Sequence, residues 1–152
     1  MAPRTAETLD STLTALLEGV IPFNRHIGVK VANIDRAGLN LTLTLALRDE
    51  HIGNVIRRMP HGGLVAALVD AASGGAAALT LDDLTQAPSM ATIDMRVDFL
   101  RPGRGPELRA VAQVMRSGRS VIVVRTEVLD ADGSLVALGS SAFTVERGGR
   151  TE

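Results

Sequence analysis

Leu9, Leu13, Leu16, Leu17 and Val20 recur at i, i+4, i+7, i+8 and i+11. That spacing makes one face of an amphipathic helix over about residues 5–20, ended by Gly19 and Pro22. Two runs with alternating polarity follow, "IGVKVANI" and "LNLTLTLAL". They predict two strands, and "DRAG" between them reads as a hairpin turn. From Gly63 to about Leu81 the chain is Ala-rich and apolar nearly all round, which predicts a buried helix. Ser73-Gly74-Gly75 inside it weakens helix propensity by up to ~1 kcal/mol per glycine, but small residues permit close packing on a sheet. After "DDLTQAP" come four more strand-like runs, "MATIDMRVDF", "ELRAVAQVM", "SVIVVRTEVL" and "SLVALGSSAFTV". In the first, Ala91, Ile93, Met95, Val97 and Phe99 are expected on one face, and Thr92, Asp94, Arg96 and Asp98 on the other.

This order predicts an α+β fold: a mostly antiparallel sheet wrapped around one long central helix, with an extra helix at the N-terminus. The 152 residues fit a single domain, with a core over about 22–145 and a frayed tail at 146–152. Hydrophobic residues make up 45% of the chain and charged residues 22%, a globular balance. Aromatic residues are only 2%, so the core must be built from aliphatic side chains. A net charge of -1 gives no basic field, and without Trp or Tyr there is no stacking platform, so nucleic acid is not an expected partner. The absence of Cys excludes thiolate catalysis and disulfides. No run reaches the ~18 apolar residues of a membrane span, and the first twenty residues do not read as a signal peptide. A cytoplasmic protein with no membrane partner is expected.

One carboxylate breaks the apolar segment. On a helix Asp70 shares a small, polar side with Ser73, Gly74 and Ala77, opposite Leu64, Leu68 and Leu79. Burial of a lone carboxylate costs several kcal/mol or raises its pKa, which suits a general base or nucleophile. The plainer alternative is a carboxylate paired with an arginine or facing solvent. Upstream, His61-Gly62-Gly63 would open the helix with unobstructed backbone N–H groups at the positive end of its dipole, able to hold an oxyanion; the alternative is a tight turn with a loop histidine. Gly62 and Asp70 are eight residues apart, or ~12 Å along a helix axis. One reacting carbonyl cannot touch both in the same chain. If both are catalytic, they meet across a two-fold subunit interface.

"HGG" followed by "LVAALVDAAS", with "PFNRHIGVKV" and "HIGNVIRRMP" before it and "MATIDMRVDFLRP" and "QVMRSGRSVIVVRTEVLDADGSLVALGSSAF" after it, resembles the hotdog-fold acyl-CoA thioesterases. Within them the chain is most similar to the phenylacetyl-CoA thioesterase (PaaI-like) group, over roughly residues 22–145. The resemblance implies hydrolysis of acyl-CoA to a carboxylate and free CoA. It implies a Gly62 N–H on the thioester oxygen, an Asn54 side chain helping to polarise that carbonyl, and a His61 that orients nearby groups. Asp70 of the opposing subunit would be base or nucleophile, and Thr92 would help orient the water. Gly63 and Ser73 are carried over as substrate-contacting positions. Arg119 is the preferred contact for the CoA phosphates, with Arg116, Arg101, Arg57 and Arg58 as further candidates. No metal or organic cofactor is implied, and a homodimer, with a homotetramer beyond it, is. The "NVIRRMPH" loop is one residue longer than the resemblance leads one to expect, and a local turn is the alternative role for Asn54.

No G-x-S-x-G elbow or H-E-x-x-H helix occurs. His26, His51 and His61 are too sparse to suggest a metal cluster. The competing functional readings are a hotdog hydratase or dehydratase, a non-catalytic acyl-CoA-binding domain, and a structural homo-oligomer.

Overall fold

Six strands form one antiparallel sheet in the order β1-β2-β6-β7-β8-β5. They are β1 Val29–Asp35, β2 Asn40–Ala46, β5 Ala91–Phe99, β6 Glu107–Ser117, β7 Val121–Asp130 and β8 Leu135–Thr144. A separate two-stranded hairpin, β3 Ile52–Asn54 with β4 Met59–Pro60, precedes the central helix. The computed structural model describes residues 6–146. The expected helix start at residue 5 and the tail beyond residue 146 lie outside the described residues.

The long helix α3, Gly62–Ala78, lies across one face of the sheet and packs on β2, β5, β6, β7 and β8. Alternation supplies that face: Leu41, Leu43 and Leu45 of β2, Leu108, Ala110 and Ala112 of β6, and Ile122, Val124 and Val128 of β7 are all fully buried. At two points a glycine lies directly under a side chain of the opposite layer. A Cβ on Gly139 would collide with Val69, and one on Gly75 with Leu41. Gly75, which weakens α3 as an isolated helix, thus leaves room for the Leu41 side chain of the sheet.

Ser73 belongs to this contact. It is fully buried, its Oγ donates to the Val69 carbonyl at 2.6 Å, and it shares hydrogen bonds with Thr126 (2.9 Å) and Ser141 (3.1 Å) of the sheet. The position expected to touch substrate is a satisfied polar knot between helix and sheet, because the small residues of α3 are the ones that face β7 and β8.

The N-terminal helix α1, Ala6–Ala15, widens into a π turn over Leu16–Val20, where the Ile21 N–H reaches back to the Leu16 carbonyl at 3.0 Å. Leu13 and Leu17 are buried in the core, each worth about 1.5–3 kcal/mol on burial, but Val20 is 65% exposed because the wider turn rotates it off the apolar face. A short helix α2, Pro22–Ile27, follows; the sequence pattern does not show it. Glu18 ties this region to the sheet. It accepts from the Val31 N–H at 2.8 Å and from Lys30 Nζ at 3.0 Å. The Val31 N–H, aided by Lys30 and opposed by burial, holds the Glu18 carboxyl below its ordinary pKa.

β5 is an edge strand, and its alternation differs from the simple pattern. A bulge between Thr92 and Asp94 sets Thr92 opposite Phe143 and Met95 opposite Ser141. Phe143 lies against Gly74 of α3, and Ser141 bonds Ser73, so both mark the helix side. Thr92 therefore shares the helix-facing side with Met95, and Asp94 opposes Ala142 on the other.

Candidate active site

The helix start is built by the hairpin beneath it. The His61 N–H donates to the His51 carbonyl at 2.8 Å, and Gly53 of β3 is packed so closely that a Cβ there would meet the His61 backbone. His61 is the N-cap of α3, with φ -64 and ψ 134, and its Nδ1 accepts the Gly63 N–H at 2.9 Å. The Leu64 N–H is taken by the His61 carbonyl at 2.9 Å. Gly62 alone of these three keeps an N–H with no partner among the described residues, at the positive end of the helix. The Phe99 ring lies 3.6 Å from where a Gly62 Cβ would stand. Gly62 opens into a cavity of about 350 Å³ that Phe99, Leu100 and Arg101 also line. His61 caps the helix start and engages the Gly63 N–H in doing so. His51 beneath it is buried, and burial, with Arg48 beside it, lowers its pKa.

Two turns along α3, Asp70 is half-buried, where the sequence led us to expect full burial; its helix face turns toward the open edge of the sheet at β5. Thr92 Oγ1 donates to Asp70 Oδ1 at 2.9 Å. No lysine or arginine pairs with Asp70 among the described residues. The Thr92 bond is a product of the β5 bulge, which brings the hydroxyl to the helix side. The pair sits at a second cavity of about 250 Å³ that is otherwise lined mainly by apolar groups: Leu13, Leu16 and Leu17 from the N-terminal helix and π turn, Ala71 and Gly74 from α3, Met90 and Phe143.

The structure thus brings together Asp70 and Thr92 at one place, and His61, Gly62 and Gly63 at another. Asn54 joins neither. Its Oδ1 accepts the Arg57 N–H at 3.0 Å and closes the β3–β4 turn, the local role left open for it. Arg116 and Arg119 are exposed beside the β6–β7 turn, and Arg101 is exposed at the Gly62 cavity. Sequence reasoning missed the N-terminal helix as a cavity wall; Leu13 and Leu17 read as ordinary core positions. It also missed Phe99 beside Gly62 and Arg104 on the β5–β6 loop, which no local pattern connects to the site. No group of three or more His, Asp or Glu poised to hold a metal occurs among the described residues, nor is any described helix long and apolar enough to cross a membrane.

Residues 60–137, from the end of β4 to the first residues of β8, match the family model of the thioesterase superfamily. The medium/long-chain acyl-CoA thioesterase YigI of Salmonella typhimurium is 32% identical over 135 residues, covering 82% of this chain and 86% of that protein. Its Escherichia coli K12 counterpart is 31% identical over 137 residues, with the same coverage of both chains, 82% and 86%. Among solved structures, a Shewanella oneidensis protein described as related to the thioesterase superfamily is 28% identical with a TM-score of 0.80, covering 92% of this chain and 96% of that one. The phenylacetic acid degradation-related protein of Ralstonia eutropha JMP134 is 26% identical with a TM-score of 0.74, covering 88% and 98%. The antiparallel sheet around α3 is the hotdog fold of these neighbours. With the family model matched from residue 60 to residue 137 and a 32% identical relative covering 82% of the chain, the chain belongs to the thioesterase superfamily.

Proposed function

We propose that the chain is an acyl-CoA thioesterase whose two composite sites form on homodimerisation. The observation that carries this reading is the position of two reactive features beside one free edge strand. Asp70 is bonded to Thr92 near the start of β5, and the unpaired Gly62 N–H lies by Phe99 at its end. The edge of β5 is unpaired in the single chain, and Ile93, Met95, Phe99 and Leu100 are 55%, 36%, 58% and 51% exposed. Such an edge favours strand pairing with a second chain. Antiparallel pairing of two β5 strands about a two-fold axis at Met95 or Arg96, with the bulge at Ile93 counted, sets Thr92 opposite Val97 or Phe99 of the other chain. Asp70 of one subunit then faces Gly62 of its partner, twice per dimer.

The reaction follows from those groups. Asp70 accepts a proton from water as the water oxygen bonds to the thioester carbon; Thr92 holds one carboxylate oxygen and leaves the other for the water. Direct attack by the carboxylate is the variant of this step. The oxyanion that forms is met by the Gly62 N–H of the opposing subunit and by the α3 dipole. Collapse breaks the C–S bond, and the proton on Asp70 returns to the departing CoA sulfur. The products are a carboxylic acid and CoA, and water is the only co-reactant used.

The acyl group would enter the cavity at Asp70. Its leucine, methionine and phenylalanine walls suit a hydrocarbon chain, and the YigI relatives are named for medium and long chains. The test is steady-state hydrolysis across short, medium, long and aryl acyl-CoAs. We expect kcat/KM to rise from acetyl-CoA toward medium-chain substrates, by about tenfold for every two methylenes buried at ~0.8 kcal/mol each. Tight CoA binding with no turnover of any member would instead favour a binding domain, and a preference for acetyl-CoA would contradict the assigned acyl cavity.

A further inference from the structure

Three residues with polar side chains line the cavity at Asp70 among the described residues: Asp70, Thr92 and Asn24. The chemistry above uses the first two. Asn24 lies in α2 and is only 5% exposed. Its backbone carbonyl takes the Gly28 N–H at 2.9 Å, but its side chain has no hydrogen-bond partner among the described residues. The other buried polar side chains all have one. His51 accepts from the Arg48 N–H, Ser73 joins Thr126 to Ser141, and Asp130 accepts from the Asp132 and Ser134 N–H groups.

A buried amide without a partner is destabilising, and its persistence in a folded chain points to a partner that arrives from outside. The Asn24 amide is not sealed into the core. Unlike Arg36 Nη2, its atoms stay accessible, and the cavity is what they open to. Its level along α3 follows from its neighbours. Leu17 stands 3.0 Å from where a Gly75 Cβ would lie, while Phe23 and Ile27 line a different cavity with His61 and Leu64. Asn24 falls between those two levels, as Asp70 does. It therefore lies toward the reacting end of the acyl chain and away from the wall at Ala78.

We propose that Asn24 selects acyl chains that carry a hydroxyl group close to the thioester, with a 3-hydroxyacyl-CoA as the simplest case. The carboxamide can accept the hydroxyl proton at Oδ1 or donate to the hydroxyl oxygen from Nδ2. A plain hydrocarbon chain filling the cavity would expel water from Asn24 and leave the amide unpaired. A site with such a group discriminates strongly against a ligand that cannot pair with it. A carboxylate substituent is disfavoured, because Asp70 carries its negative charge in the same cavity. The hydrocarbon beyond the hydroxyl still meets Leu13, Leu16, Leu17 and Phe143. The inference rests on the thioesterase reading and narrows its substrate class: chain length and the hydroxyl contribute separately.

Two measurements on the intact protein test it. The first is the ratio of kcat/KM for 3-hydroxyoctanoyl-CoA, taken as its better enantiomer, to that for octanoyl-CoA. The wild type should favour the hydroxylated chain by about tenfold or more, and Asn24→Leu, which replaces the amide by an apolar group of similar size, should bring the ratio to about one. A wild-type ratio of one or less would overturn the proposal, and it does so whether or not the variant folds. A ratio that survives the substitution would also overturn it, since Asn24 would then serve the water or the fold. The second is calorimetric titration with the thioethers S-(3-hydroxyoctyl)-CoA and S-octyl-CoA, which cannot be hydrolysed. The hydroxylated thioether should bind about tenfold more tightly to the wild type; equal affinities would overturn the assignment. Failure of the wild type to hydrolyse either thioester would defeat the functional reading instead, and the titration alone would then decide the role of Asn24.

Discussion

Asp70→Asn is expected to fold like the wild type and to lose about 10²-fold or more in kcat, with a small change in KM, as removal of a general base does. Asparagine has the shape of aspartate, and its Oδ1 can still accept the Thr92 hydroxyl that now donates at 2.9 Å. The pocket walls from Leu13 to Phe143 are untouched. What disappears is the charge that takes the proton from water. Asp70 is half-buried and has no cationic partner among the described residues, so its loss strands no opposite charge and should leave the melting temperature nearly unchanged. Steady-state kinetics beside thermal unfolding checks both halves. A large fall in stability would assign Asp70 to the fold, and undiminished turnover would remove it from the chemistry.

Gly62→Pro isolates the other catalytic group at the level of one hydrogen atom. Gly62 is the first residue of α3, the position where proline is best tolerated, because its N–H has no partner in the helix. His61 before it has φ -64 and ψ 134, an extended conformation that a following proline permits. A Cβ at Gly62 would rest 3.6 Å from the Phe99 ring, ordinary contact. The substitution therefore deletes the N–H donor while the helix start stays in place. Loss of one oxyanion donor should lower kcat by roughly 10²–10³-fold. Gly62→Ala, which keeps the N–H, should retain most of the activity; if both variants fall equally, the effect is steric and the N–H has no special part.

The legible portion of this protein was its periodicity. The alternation of "LNLTLTLAL" and "SVIVVRTEVL" places Leu41, Leu43, Leu45, Ile122 and Val124 on the buried face where they are found. The apolar run after His61 marks α3 to within a few residues of its observed end at Ala78. What failed did so for physical reasons. β5 carries a one-residue bulge, and a bulge shifts the phase of every residue before it, so Thr92 was assigned to the wrong face by counting alone. Ser73 was grouped with Asp70 because the two are three positions apart, yet a helix against a sheet turns such neighbours to different surroundings: Ser73 into the sheet, Asp70 toward its open edge. Helix α2 is a single proline-started stretch of six residues, too short for a period to show. A cavity of about 620 Å³ joins Arg48, Arg57, Arg58 and Arg104 from three separate segments, and no pattern along the chain connects Arg104 to Arg57. In the single chain Gly62 lies by Phe99 at the end of the free edge strand and Asp70 is bonded to Thr92 near its start, so the two groups stay apart within one subunit.

The composite site is the central claim, and subunit complementation tests it most directly. Asp70→Asn and Gly62→Pro proteins, each nearly inactive alone, are mixed, exchanged by mild denaturation and refolding, and assayed. If each site takes Asp70 from one subunit and Gly62 from the other, every mixed dimer regains one intact site, and a random mixture recovers roughly a quarter of wild-type activity. If both groups act within one chain, no mixed dimer contains an intact site, and activity stays at the level of the separate variants.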